Sequence, residues 1–324
     1  MKYVFLMNPF GDKKRADSVK QSVFSLRQSL GGENVFFHET EYSGQGSSLS
    51  KEYAKKYGSD ALVIACGGDG TAHEVANALA YTGTPMCMLP IGTGNDFVRS
   101  VLSEDFQKNP QKMVSSLAKA KMQSIDLFSV SCFDAEGVLI PEYKQFCLNI
   151  ASFGLDTAIQ LRAGKMIRFF RRNPLIRKNA YNLSTLYSVL RGWDYEMEYA
   201  FYNEKTKEKK EGTVPFILSA ICNGAFYGGG FCPAPDAKVD DGLLEVCIAE
   251  DISLGKVIAL VPKYKKGLHI GQPNIQSFSI TNAVIRARNK NSILHGNYDG
   301  EDFYGHEVRL DIAPKALRYA FLEP

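Results

Sequence analysis

The chain has 324 residues, 45% hydrophobic and 23% charged, with a net charge of +3. This length suits two domains, and the composition excludes a disordered or low-complexity protein. A charge so near zero gives no ground for nucleic-acid binding, and no run approaches the roughly 18 apolar residues of a membrane span.

In chain order the first third alternates. Tyr3–Met7 reads as a strand, Ala16–Leu30 as a helix and Val35–His38 as a strand. Ser48–Tyr57 follows as a helix, Ala61–Ala65 as a strand, Ala72–Tyr81 as a helix and Met86–Leu89 as a strand. Short apolar strands alternating with helices predict a parallel sheet covered on both faces. Such sheets bind ligands in the loops at the strands' carboxyl ends. After about Ser124 the rhythm changes. "QFCLNIASFG", "VPFILSAICNGAFYGG", "GLLEVCIAE" and "AVIRARNKN" read mostly as strands, which predicts a second, β-rich domain. Helices are expected within it at Asp156–Arg172, Ala180–Arg191 and Ser253–Leu268.

The start, "MKYVFLMNPF", is too short for a signal peptide and reads as a first buried strand. Seven single cysteines, an odd number with no CxxC pair, read as buried free thiols in a reducing, cytoplasmic setting. Membrane contact, if made, is then peripheral and at the inner face. From Leu161 to Arg191 eight basic residues, including Arg162, Arg168, Arg171, Arg172 and Lys178, interleave with Met166, Phe169 and Phe170. This stretch suits either an anionic membrane surface or a plain solvated helix face.

Two loops carry the chemistry. "CGGDGT" joins strand to helix through Gly67, Gly68, Asp69, Gly70 and Thr71. It is either a tight turn or a phosphate cradle, in which bare backbone and the N–H groups of a helix start approach an anion. "PIGTGNDF" repeats the pattern with Gly92, Thr93, Gly94, Asn95 and Asp96. Two anion-friendly turns that each hold an acid make sense together if Mg²⁺ mediates between carboxylate and phosphate. No GxxxxGK[ST] occurs, so this is not a P-loop protein.

The pair "GGDGT" and "LPIGTGNDF" resembles the diacylglycerol-kinase-like lipid kinases. The likeness continues in Asn8-Pro9 at the end of the first strand, in Thr40, in "PAPDAKVDDGLLEV" and in "YDGE" at Tyr298–Glu301. The resemblance implies an N-terminal Rossmann-like α/β domain of the NAD kinase/diacylglycerol kinase type and a C-terminal β-sandwich domain. We expect the first at 1–126, completed by 314–324, and the second at 127–313.

The resemblance also implies ATP and Mg²⁺ as cofactors and a lipid hydroxyl at a membrane surface as acceptor. Asn8, Pro9, Thr40, Gly68–Glu74 and Thr93 resemble nucleotide contacts, with Gly67, Gly92, Gly94 and Asn95 shaping the loops. Asp69, Asp96, Asp241 and Asp299 resemble an aspartate–water–Mg²⁺ network. The Lys238 and Leu243 carbonyls with the Asp241 side chain would bind a structural Mg²⁺. Asp299 matches the general base, although "GNYDGED" by itself reads as an exposed Asp-Gly hairpin turn.

Two positions depart from the pattern. Phe10-Gly11 stands where the family has a small residue before glycine, and His73 stands where bacterial relatives often have Asn. Sphingosine kinases resemble the chain at His73 but tend to lack the acid that Asp96 supplies. Diacylglycerol is therefore the first acceptor expected, ahead of sphingoid bases, ceramide or phosphatidylglycerol. NAD kinases share the GGDGT turn but lack the "GTGNDF" and "YDGE" pair, and a silent nucleotide- or lipid-binding regulator would not need four intact aspartates. Edge strands in the second domain leave a homodimer open.

Overall fold

The computed structural model describes the chain except residues 93, 155–156, 158–161, 163–165, 167–168, 170–183, 185–195, 251–253 and 324. The helices expected at 156–172 and 180–191, and the basic stretch they carry, therefore lie largely outside the described residues, as does Thr93.

Strands β1 (Lys2–Met7), β2 (Val35–Glu39), β3 (Ala61–Gly67) and β4 (Met86–Pro90) pair in parallel in the order β2-β1-β3-β4. Helices α1 (Lys13–Leu30), α2 (Gln45–Tyr57) and α3 (Asp69–Leu79) fill the connections. The sheet is covered on both faces, and the alternation within β1 shows why its strands are apolar throughout. Val4 and Leu6 join one core with Val75 and Leu79 of α3. Phe5 and Met7 point the other way, onto Val19 and Val23 of α1.

After α4 (Asp96–Val101), α5 (Glu104–Gln107) and α6 (Pro110–Ser116), the chain enters long antiparallel strands. β5 (Lys121–Phe133) pairs with β15 (Glu307–Phe321) along nearly its whole length. The far end of β15 also meets β4 in parallel, at Tyr319 opposite Met86. These two strands thus run from the β-rich half into the α/β half. Where β15 turns the corner, a bulge between Ala313 and Leu317 leaves Lys315 at φ 55°. Buried Asp126 secures that corner, with Oδ1 accepting from Lys315 N at 2.7 Å and Oδ2 from Gly242 N at 2.6 Å.

The β-rich half adds β6 (Leu139–Cys147), β7 (Ile150–Gly154), β8 (Glu196–Asn203), β9 (Glu208–Cys222), β10 (Leu244–Glu250), β11 (Ile275–Ile280), β12 (Asn282–Ala287), β13 (Leu294–Tyr298) and β14 (Glu301–Gly305). Their facing side chains, among them Phe128, Phe153, Phe201, Ile221, Val246, Ile285 and Phe303, enclose one sandwich-like core. The third expected helix is present as α7 (Leu254–Lys265). "NGAFYGG", expected to prolong a strand, instead leaves β9 as a loop in which Gly228, Gly229 and Gly230 all take positive φ. All seven cysteines are free and buried. Among the described residues no helix is long and apolar enough to cross a membrane.

Candidate active site

The carboxyl ends of β1, β3 and β4 converge on an open cleft of about 800 Å³. One wall comes from the α/β half: Asn8, Phe10, Gly11, Gly67–Gly70, Gly92, Gly94 and Asp96. The other comes from the β-rich half: Asn149, Ile150, Ser152, Tyr227–Gly229, Asn297 and Asp299–Glu301. Of the residues expected from sequence, the cleft gathers Asn8, Gly67, Gly68, Asp69, Gly70, Gly92, Gly94, Asp96 and Asp299. Pro9, Thr40, Thr71, Glu74 and Asn95 do not line it.

The last four of these shape the loops. Thr40 N donates to the Met7 carbonyl at 2.9 Å, and Thr71 lies under Gly67 and Asn8. Glu74 Oε1 accepts from Gly44 N at 3.0 Å and so holds the start of α2 against α3. Asn95, at φ 55°, staples its own loop: Oδ1 accepts from Gly92 N at 3.1 Å and Nδ2 donates to Gly92 O at 2.7 Å. The two glycine loops touch. A Cβ on Gly92 would lie 2.4 Å from Gly68 Cα and 2.9 Å from Gly68 N. Gly92→Ala is therefore expected to force the loops apart, at a cost of about 1–3 kcal/mol of stability. A urea melt reads the loss.

The loops are not equivalent. Residues Asp69–Thr71 begin α3, whose first-turn N–H groups have no intrahelical acceptor and face the cleft side. At α4 the corresponding donors are taken. Asp69 Oδ1 accepts from Asp96 N at 2.8 Å and Phe97 N at 3.2 Å, so the first loop's aspartate caps the second loop's helix. The expectation of two phosphate-ready turns is corrected to one, at α3, with a capped partner beside it.

Asp96 reaches across the cleft, where Oδ2 accepts from Gly229 N at 2.9 Å. Its Oδ1 is buried without a hydrogen-bond partner, with Arg99 Nε at 3.6 Å. Burial pushes the Asp96 carboxyl up, against the pull of Gly229 N–H and Arg99. Burial and then the Asp96 charge push Asp69 to about 6. Arg99 is the cation beside this pair, and it does not offset their burial. Among the described residues no three His, Cys, Asp or Glu side chains group closely enough to ligate a metal directly. The orphaned Asp96 oxygen and the strained Asp69 charge fit a hydrated cation bound through water.

Linkage gives the sign of the Asp69 effect. Its pKa is higher in the fold than the 3.8 of a free carboxyl, so its ionised form destabilises the metal-free protein above pH 6. Asp69→Asn keeps the oxygen that caps α4. The variant is expected to be more stable than the parent at pH 7.5 without Mg²⁺, by at most about 3 kcal/mol and less because the group faces solvent. The gap should narrow as pH falls through 6 and close only below the free-carboxyl value of 3.8, in thermal melts.

Asp299 sits at the first position of a two-residue turn between β13 and β14, at φ 49°, followed by Gly300 at φ 97°. That is the Asn/Asp-Gly hairpin chemistry expected. The expectation of an exposed segment is corrected at Asp299, which is 9% exposed. Its side chain turns inward onto the β6–β7 corner, whose backbone N–H groups need an acceptor. Oδ2 accepts from Leu148 N at 2.6 Å and from His73 Nδ1 at 3.0 Å. Oδ1 accepts from Asn149 N at 2.9 Å, Ile150 N at 3.3 Å and Cys147 Sγ at 3.2 Å. Burial alone would raise its pKa, but His73 and the corner's donors outweigh burial and hold the carboxyl below its usual range.

His73 was read from sequence as an isolated departure. In the fold its other nitrogen, Nε2, faces Gln145 Oε1 at 2.9 Å, and that amide's nitrogen points to Glu142 O at 3.4 Å. Asp299 and the Gln145 oxygen both accept, which favours a ring that donates from both nitrogens, while Asn77 Nδ2 lies 3.3–3.4 Å from the same two atoms. Burial opposes this and the Asp299 partner overrides it, raising the His73 pKa. Gln145, which has no motif, escaped the sequence reading, and Glu301, named there only as the end of "YDGE", is exposed on the cleft wall two positions after Asp299.

The second metal segment does not line the cleft. Asp241 Oδ1 accepts from Leu243 N at 3.0 Å, and the Lys205 ammonium donates to the Asp241 carbonyl. Lys238 belongs to the same turn.

Residues 2–130 match the family description of the diacylglycerol kinase catalytic domain, and 149–321 match the YegS C-terminal NAD kinase beta sandwich-like domain. The chain belongs to the diacylglycerol kinase-like lipid kinases. A YegS-like lipid kinase from Chromohalobacter salexigens is 28% identical over 95% of this chain and 89% of its own. The Bacillus subtilis diacylglycerol kinase is 26% identical over 81% and 79%. A crystal structure of a Bacillus anthracis protein assigned as a diacylglycerol kinase superposes with a TM-score of 0.70 at 18% identity, covering 100% of this chain and 98% of that one, which supports the fold.

Proposed function

We propose that this lipid kinase transfers the γ-phosphate of ATP to a lipid hydroxyl with Mg²⁺, and that diacylglycerol is its first acceptor, giving phosphatidic acid. One observation carries the reading. An open helix start, two carboxylates whose pKa burial raises and a hairpin carboxylate face one cleft from opposite halves of the fold.

Phosphoryl transfer depends on positioning and charge neutralisation more than on covalent help. The α3 start and the Gly68 loop would bind the phosphates through backbone, with the Gly92 loop packed against them. Asp69 and Asp96 would hold Mg²⁺ through water, with the Asp299 charge behind them. That ion would neutralise phosphate charge. Lys238, Asp241 and Leu243 are proposed as a structural Mg²⁺ site, where Lys205 already supplies a cation. As the acceptor oxygen bonds to phosphorus and the β–γ P–O bond breaks, the hydroxyl proton passes to a hairpin carboxylate and ADP leaves.

Two groups compete for that proton. Resemblance favours Asp299, but both of its oxygens are committed to donors, and a carboxylate stabilised as the anion is a weak base. Glu301 is exposed to the cleft, and that observation favours it. Asp299 is then the anchor that positions the turn.

The test is transfer of labelled γ-phosphate from ATP–Mg²⁺ in mixed micelles holding diacylglycerol, monoacylglycerol, phosphatidylglycerol, ceramide or sphingosine, with NAD alongside. A labelled lipid names the acceptor. Label in NAD, or in nothing, overturns the reading.

A further inference from the structure

Beyond the cleft, one surface combines exposed aliphatic side chains with a run of lysines, with Asp236 and Glu250 as the acids on adjoining elements. The chain from α7 to β11 reads "LVPKYKKGLHIGQPN", and residues 252–298 contain no Asp or Glu. Leu268 is 63% exposed and Ile270 38%, flanking fully buried His269.

The display is rigid. Gly267 and Gly271 turn the backbone at φ 71° and 76°. Leu268 N donates to Lys263 O at 2.8 Å, and Gln272 N to His269 O at 3.0 Å. His269 Nε2 donates to the Pro233 carbonyl at 3.0 Å, and its ring packs 4.6 Å from Tyr264. Two aliphatic side chains held outward on an anchored turn lose little entropy when they enter an apolar phase. Lys265 and Lys266 are exposed beside them. Lys256 and Lys263 line an adjoining groove of about 240 Å³ with Ala259, Leu260 and Pro273.

The surface is continuous with the cleft. Tyr264 OH lies 3.1 Å from Tyr227 OH, and Cys232 N donates to Tyr264 O at 3.3 Å. Tyr227 and the glycines after it form part of the cleft wall.

We propose that the Lys263–Ile270 turn docks this protein on an anionic bilayer: Leu268 and Ile270 enter the acyl boundary while Lys256, Lys263, Lys265 and Lys266 meet lipid phosphates. The choice of a bilayer as occupant rests on the lipid-kinase reading, and the charge complementarity selects an anionic one. Docking here brings the Tyr227–Gly229 wall toward the membrane, the phase that holds a long-chain acceptor.

The test is co-sedimentation of the full chain with vesicles of phosphatidylcholine, with or without phosphatidylglycerol. The parent should prefer the anionic vesicles and release with salt. Leu268→Ser with Ile270→Ser should lower partitioning about tenfold or more. Replacing Lys263, Lys265 and Lys266 by Gln should abolish the anionic preference and the salt dependence. Both variants should keep the parent's melting temperature and its turnover of a water-soluble short-chain diacylglycerol.

Unchanged vesicle binding by the Leu268/Ile270 variant overturns the proposal. So does equal binding of the parent to neutral vesicles. Loss of self-association in sedimentation velocity without any vesicle effect would assign the surface to a second copy of the chain instead. Vesicle binding needs no turnover, so a failed kinase assay with docking intact counts against the reading of the cleft, not against this surface.

Discussion

Asp299→Asn is expected to destabilise the protein by about 3–5 kcal/mol and to abolish turnover together. The carboxylate accepts from His73, Cys147, Leu148, Asn149 and Ile150. An amide of the same shape has one accepting oxygen and one NH₂. Whichever way it turns, the NH₂ meets N–H groups, either Leu148 and His73 or Asn149 and Ile150, and buried donors are left unpaired. The change also strands the His73 imidazolium in a buried site. A urea midpoint shift reads the loss. The depressed Asp299 pKa sets its window, since this stabilisation is present above the ordinary carboxyl pKa and disappears as pH falls through the lower folded value. The parent should therefore lose its advantage over Asp299→Asn only in acid, below about pH 4. A variant melting like the parent at neutral pH would remove Asp299 as the anchor.

Glu301→Gln separates anchoring from chemistry. The side chain is exposed on the cleft wall, so the melt should stay within about 0.5 kcal/mol of the parent. If Glu301 takes the acceptor's proton, kcat should fall about 10²–10⁴-fold while the ATP KM stays put. If kcat is unchanged in Glu301→Gln, the proton goes elsewhere, and Asp299 returns as the candidate despite its five donors. The two variants together assign the hairpin's carboxylates.

The pairing of His73 with Asp299 also explains why these positions depend on the whole fold. His73 lies on α3 of the α/β half, and Asp299 lies 226 residues later in the β-rich half. Gln145 comes from β6, and the three N–H donors come from the β6–β7 corner. The α/β wall and the β-rich wall are thus joined by a buried ion pair directly behind the cleft. A second tie, from Asp96 to Gly229, crosses at its other side.

Much of the architecture was legible in the residues. Apolar runs such as "ALVIACG" and "MCMLP" have no polar face to give to water, so they read as strands buried on both sides. Glycine at Gly67, Gly68, Gly92 and Gly94 marked the places where backbone had to approach backbone or ligand, and the Gly68–Gly92 contact gives the reason. "YDG" predicted a two-residue hairpin because Asp and Gly tolerate the positive φ that such a turn needs. These are local properties: a side chain's polarity and its allowed φ belong to the residue itself.

What each polar group faces is not local, and there the tertiary structure decided. An Asp-Gly turn looks exposed until a β6–β7 corner with unpaired N–H groups packs against it. Two glycine loops look alike until the aspartate of one caps the helix of the other. A histidine on α3 has no visible partner until the far end of the chain returns. Protonation, burial and hydrogen bonding are set by neighbours brought together across hundreds of residues, because only the folded core fixes distances and excludes water. Hence the sequence determined which residues could do the chemistry, and the fold determined which of them are free to.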